Sequence, residues 1–165
     1  MIDLITIFNT VNTASKSLTA VYEYLSEKAK TKNIKKRFVF RELQNNLKRL
    51  KNARKPNVKL DQLILSLENE AILKAMKAGF DFNDLADKKI VVEKGFLIEK
   101  RNFRYIGWNC EALVSSIDSK IEVLKDSISY FDDYKKSNTN FRLKLSNLYF
   151  QILLLVVLIN QSNQK

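Results

Sequence analysis

Three glycines and one proline in 165 residues leave this chain almost without tight-turn formers. An all-β fold needs a turn about every 8 to 12 residues, so this scarcity points to long helices. The apolar pattern agrees. Leu4, Ile7, Val11, Ala14, Leu18, Val21 and Leu25 recur at alternating threes and fours, which at about 100° per residue form one narrow helical stripe. The opposite side of this first helix is small and polar, rich in Ser and Thr, and depends on packing for its stability.

The same reading predicts a second helix over Ile34–Asn52, closed by Pro56, with Val39, Phe40, Leu43, Leu47 and Leu50 facing the core. A third runs from about Val58 or Lys59 to Ala78, with Leu60, Leu63, Ile64, Leu67, Ala71, Ala75 and Ala78 inward and Gly79 as its cap. A fourth spans about Gly107 to Lys136 and a fifth about Asn140 to Gln161, the last apolar on nearly every side. Such a helix is central in a bundle or lies against a second chain. Between them, Ile90-Val91-Val92 and Phe96-Leu97-Ile98 flank Glu93-Lys94-Gly95 as a short β-hairpin or an irregular insertion within residues 88–104. The expected fold is all-α: residues 1–165 form a single-domain antiparallel bundle of four to five long helices.

The charge is concentrated. The segment Glu27 to Lys59 holds thirteen basic and two acidic residues and so accounts for the whole net charge of +11. Within it Arg37, Arg41, Lys48 and Lys55 fall at spacings of four, seven and seven, a row opposite the core face of the second helix. Lys36, Arg49 and Arg54 complete the candidate anion- and partner-binding set. A field this localised attracts anionic partners more strongly than the same charge spread over the surface.

Much chemistry is excluded by composition. The chain has no histidine, which removes Ser-His-Asp and Cys-His nucleophiles, the common zinc sites and Glu-x-x-His di-iron sites. Gly79, Gly95 and Gly107 are too far apart to build a phosphate loop. Glu68 with Glu70 and Asp132 with Asp133 diverge around their helices, and Asp81, Asp84, Asp87 and Glu111 read as solvated surface. Cys110 has no general base and reads as packing, as do the aromatics of residues 102–108. No metal, no cofactor and no enzymatic activity are expected. A lone cysteine and the absence of a basic, apolar leader point to the cytoplasm. The greasiest stretch, Ile152–Ile159, is eight residues, short of the roughly 20 that cross a bilayer.

Three partner classes follow. The first is an acidic protein docked on the basic face, with self-association through apolar surface near the last helix. The second is an anionic membrane surface, with Leu4, Ile7, Phe8 and Val11 inserting and Lys28 to Arg37 steering. The third is non-specific nucleic acid, its phosphates held by Arg37, Arg41, Lys48, Arg49, Arg54 and Lys55.

Overall fold

A computed structural model describes residues 14–91, 100–130 and 138–162, the side chains of 14–17 excepted. Six helices and two 3-10 turns make up the described chain, which contains no strand. The helices are α1 (Ala14–Lys28), α2 (Ile34–Asn52), α3 (Leu60–Ser66), α4 (Glu70–Lys77), α5 (Cys110–Tyr130) and α6 (Phe141–Ser162). The fold is therefore all-α, and α2 spans the residues its periodicity predicts. Asn33 starts it by accepting the Lys36 backbone N–H at 3.1 Å on its side-chain oxygen, which satisfies one of the donors every helix start leaves open.

The expected third helix is two helices. Leu67 is extended between them, and the reason lies on α2. The Glu68 backbone N–H donates to Asn46 Oδ1 at 2.8 Å, and Asn46 Nδ2 donates to the Glu68 carbonyl at 2.6 Å. Asn46 thus takes both backbone groups that a continuous helix would use itself. The chain restarts because Glu42 accepts the N–H groups of Ala71 and Ile72, at 2.6 and 3.0 Å, and serves as a cap from another helix. The break also resets the wheel: Ile72 and Ala75 point inward, while Ala71 is half-buried and Ala78 exposed. The α4 C-terminus closes as a Schellman turn, with Gly79 N–H to the Met76 carbonyl at 2.9 Å and Phe80 N–H to the Ala75 carbonyl at 3.0 Å. Gly79 has φ 65°, a conformation that side chains resist.

The fourth predicted helix starts later than expected. Gly107 has φ 84° and stands outside it, and Asn109 caps α5 by accepting the Ala112 N–H at 2.9 Å. Its predicted end, past Tyr130, lies outside the described residues. So do residues 92–99, which carry most of the hairpin expected within 88–104. The described part of that insertion is irregular chain followed by a 3-10 turn, Lys100–Tyr105. Ile90 is nevertheless paired across it, donating to the Trp108 carbonyl at 2.9 Å and accepting from Gly107 N–H at 2.8 Å.

One continuous core joins these elements. α1 packs on α2, α5 packs on α6, and α2 also meets α4 and α6. Every residue from Phe150 to Gln161 is buried. The last helix is thus enclosed within its own chain over that stretch, while Leu143 in its first turn is 52% exposed. The membrane-length estimate also needs correction. Ile152–Ile159 belongs to a 22-residue helix whose mean hydropathy of 1.7 over an 18-residue window is long and apolar enough to cross a bilayer, and 72% of that window is buried in the fold.

Candidate functional site

The cationic row on α2 is set by what the helix buries. Its buried positions, Val39, Phe40, Glu42, Leu43, Asn46, Leu47 and Leu50, fill an arc of about 160°, and Arg37, Arg41 and Lys48 fall within about 40° at the opposite pole. Lys55, expected to extend this row, instead lies in the bend beyond the helix end at Asn52, because the chain leaves the helix before Pro56. Arg41, Lys48 and Lys55 are exposed and Arg37 is half-buried. Among the described residues the ion pairs are Arg49–Glu68 and Lys74–Glu70, so none of the four has a carboxylate within 4.0 Å. Two of them rest on rings: the Arg37 guanidinium lies 5.6 Å from the Phe38 centroid, and Lys48 Nζ 5.8 Å from that of Tyr22.

The other three predicted residues stand apart from the row. Lys36 Nζ donates to the Asp84 carbonyl at 3.0 Å and so ties the turn after α4 onto α2. Arg49 is held by Glu68, on the flank of α2 that faces the α3–α4 break. Arg54 follows the helix, its guanidinium 5.8 Å from the Phe150 ring centroid. Beside the row a groove of about 650 Å³ runs between α2 and α4. Ile34 and Phe38, 59% and 48% exposed, give it apolar surface, and its charges are mixed, with Lys35, Arg41 and Lys74 beside Glu42, Glu68 and Glu70.

Several carboxylates are occupied in holding the fold. Burial pushes the Glu42 carboxyl above its usual range, against the downward pull of the Ala71 and Ile72 N–H groups, and the charges of Glu68 and Asp118 raise it further. Burial works upward on Glu68 too, but hydrogen bonds from Arg49 and Asn45 outweigh it, and its carboxyl lies below the usual range. Asp118 accepts from Asn69 Nδ2 at 2.8 Å. Asp81 accepts the Asn83 N–H, and Glu111 the Phe82 N–H at 3.0 Å. Among the described residues no group of three or more Cys, Asp or Glu is arranged to hold a metal. Asp132 and Asp133 lie outside the described residues.

Periodicity alone overlooks two features. Glu42 and Asn46 sit four apart on the greasy face of α2, and a polar pair inside an otherwise apolar arc is the signal that could have revealed the α3–α4 break. The second is Lys120. Its Nζ donates to Tyr105 Oη at 2.7 Å and to Gln151 Oε1, and burial, helped by the Arg104 charge, lowers its pKa to about 8.

Cys110 is fully buried, and its thiol is pushed up to about 12 by burial and then by Glu111 and Asp81. A thiol-reactive disulfide reagent at pH 8 is expected to label it at the rate of global unfolding. Labelling that stays fast when urea is absent would show the pocket to be open.

No family model matches the chain, and neither a curated protein nor a solved structure matches it.

Proposed function

We propose that this chain is a non-enzymatic, cytoplasmic interaction module, a helical bundle that docks an acidic protein partner on the outer face of α2. One observation carries the reading: Arg37, Arg41 and Lys48 stand in a row on one helix with Lys55 just beyond its end, and among the described residues no carboxylate of the chain pairs with them. Charges left unneutralised at fixed spacing steer an oppositely charged surface and set its register. The adjoining groove, with Ile34 and Phe38 exposed, gives such a partner apolar contact beside the charges.

Retention on immobilised polyglutamate tests this. The R37Q/R41Q/K48Q/K55Q variant should bind about tenfold more weakly, whereas K59Q/K77Q/K89Q/K100Q, which removes equal charge elsewhere, should bind within about twofold of the parent. Equal losses in both would reduce the row to bulk charge. Running DNA in parallel separates the nucleic-acid alternative, for which the affinity would fall with salt at a log-log slope of about −4 if four cations meet phosphates.

A second reading, attachment to anionic membranes, rests on α6, which is long and apolar enough to cross a bilayer although its C-terminal half is enclosed; Leu4, Ile7, Phe8 and Val11, expected to insert, lie outside the described residues. A bundle that opened at a charged bilayer would release that helix into it. Flotation with phosphatidylglycerol vesicles but not with phosphatidylcholine vesicles is the expected result; equal recovery from both would remove this reading.

A further inference from the structure

A second concave site lies where α1, the C-terminal end of α2 and the first turns of α6 meet. The cavity there measures about 530 Å³, within the range that encloses small organic ligands. Leu18, Leu50 and the side of Tyr149 form apolar wall, and Lys51, Arg54 and Arg142 bring three positive charges to the lining. Among the described residues no Asp or Glu lines it, and none of the three cations has a carboxylate within 4.0 Å.

Arg142 is tied to the fold by a hydrogen bond, and Arg54 rests on a ring. Arg142 Nη1 donates to the Ala53 carbonyl at 2.6 Å, one of the open carbonyls that end α2. Arg54 lies over Phe150, whose ring also carries Arg101 at 4.4 Å. Guanidinium groups held in place present their remaining N–H donors in a planar fork, the geometry that matches carboxylate, phosphate and sulfonate oxygens. Burial, with the neighbouring Tyr22 adding to it, pushes the Tyr149 phenol up to about 12, so that wall of the cavity stays uncharged.

We propose that this cavity binds an amphiphilic organic anion, its head group held by Lys51, Arg54 and Arg142 and its hydrocarbon body against Leu18, Leu50 and Tyr149. The apolar wall with three cations converging on it distinguishes this from the outward-facing row on α2. The two sites share no residue of the row, so either can fail without the other.

Decanoate, titrated into the ¹⁵N-labelled full chain, is the probe. Saturable amide shifts should concentrate in residues 50–54 and 142–149, and decanol or inorganic phosphate at the same concentration should bind at least about tenfold more weakly, since each lacks half of the ligand. K51Q/R54Q should weaken decanoate about tenfold while keeping its helical circular dichroism, and R37Q/R41Q/K48Q should leave it within about twofold. The proposal is overturned if decanoate shifts are absent or scattered, if decanol binds equally well, or if K51Q/R54Q binds like the parent. Flotation with phosphatidylglycerol vesicles identifies the source of the anion. For a free amphiphile it should not depend on Lys51 and Arg54, and dependence on them would replace the soluble ligand by a bilayer lipid.

Discussion

Replacing Glu42 with alanine should lower the stability of this protein by about 3 kcal/mol, the largest effect expected from any single carboxylate in it. Both of its oxygens accept backbone N–H groups at the start of α4, and Ile72, one of the two donors' residues, is fully buried. Alanine leaves those donors without an acceptor, and a hydrogen bond to a charged group is worth about 1.5–3 kcal/mol. The net loss is smaller than two such bonds because burying the carboxylate already costs energy, which is why its pKa is raised. Glu42→Gln should lose about half as much, since one oxygen still accepts while the new amide group faces the second N–H.

The sign of the pH dependence follows from the same shift. A carboxyl with a raised folded pKa binds more protons folded than unfolded, so its contribution is fully present below the unfolded value and is lost as pH rises through the folded one. Glu68, with a lowered pKa, works the other way, gaining above the unfolded value. Between pH 3 and 7 the urea midpoint of Glu42→Gln should therefore change with rising pH in a more stabilising direction than that of the parent. An identical pH profile in the two proteins would remove Glu42 from this role.

At the alkaline end the stability should pass through a maximum near pH 9 and then decline by about 3 kcal/mol between pH 10 and 12. Five shifts compose this curve. Lys120, lowered from 10.5 to about 8, binds fewer protons folded than unfolded between those values, so its burial penalty is relieved as pH rises through that interval. Cys110, raised from 9.0 to about 12, opposes it from pH 9 upward. Tyr149, raised from 10.0 to about 12, joins the loss above pH 10, as do Tyr22 and Tyr105, whose phenols are also raised by burial. Below pH 9 Lys120 acts without opposition from this group, and above pH 10 the three phenols and the thiol outweigh it. Denaturant titrations at half-unit pH steps measure the curve. Lys120→Met should flatten the rise from pH 7 to 9, and Cys110→Ala should move the maximum upward. A parent protein whose stability is level from pH 7 to 11 would contradict both assignments.

Helix type and the inward faces were legible from periodicity because burial of an apolar stripe is a local requirement repeated every three or four residues. Val39, Leu43 and Leu47 on α2, Leu18, Val21 and Leu25 on α1, and Ile117, Ile121 and Leu124 on α5 are all buried where that spacing puts them. The outward direction of Arg37, Arg41 and Lys48 follows from the same rule, since a helix that hides one arc must expose the other; Lys55 lies past the helix end and escapes it. The third helix was misread for a complementary reason. Its apolar spacing is continuous from Leu60 to Ala75, and what interrupts it is a pair of polar side chains more than twenty residues earlier in the chain.

The amino-acid sequence alone determined the helical class, the extent of α2, the isolation of its positive charge and the absence of histidine chemistry, because each depends on composition or on neighbours within a few turns. Tertiary structure decided the rest: that Asn46 and Glu42 split one helix into two, that Arg49 is spent on Glu68 while Arg41 is not, and that Lys51, Arg54 and Arg142 converge on one cavity. Those outcomes depend on which side chains meet across long stretches of chain, where hydrogen-bond geometry and desolvation choose among partners that no local pattern distinguishes.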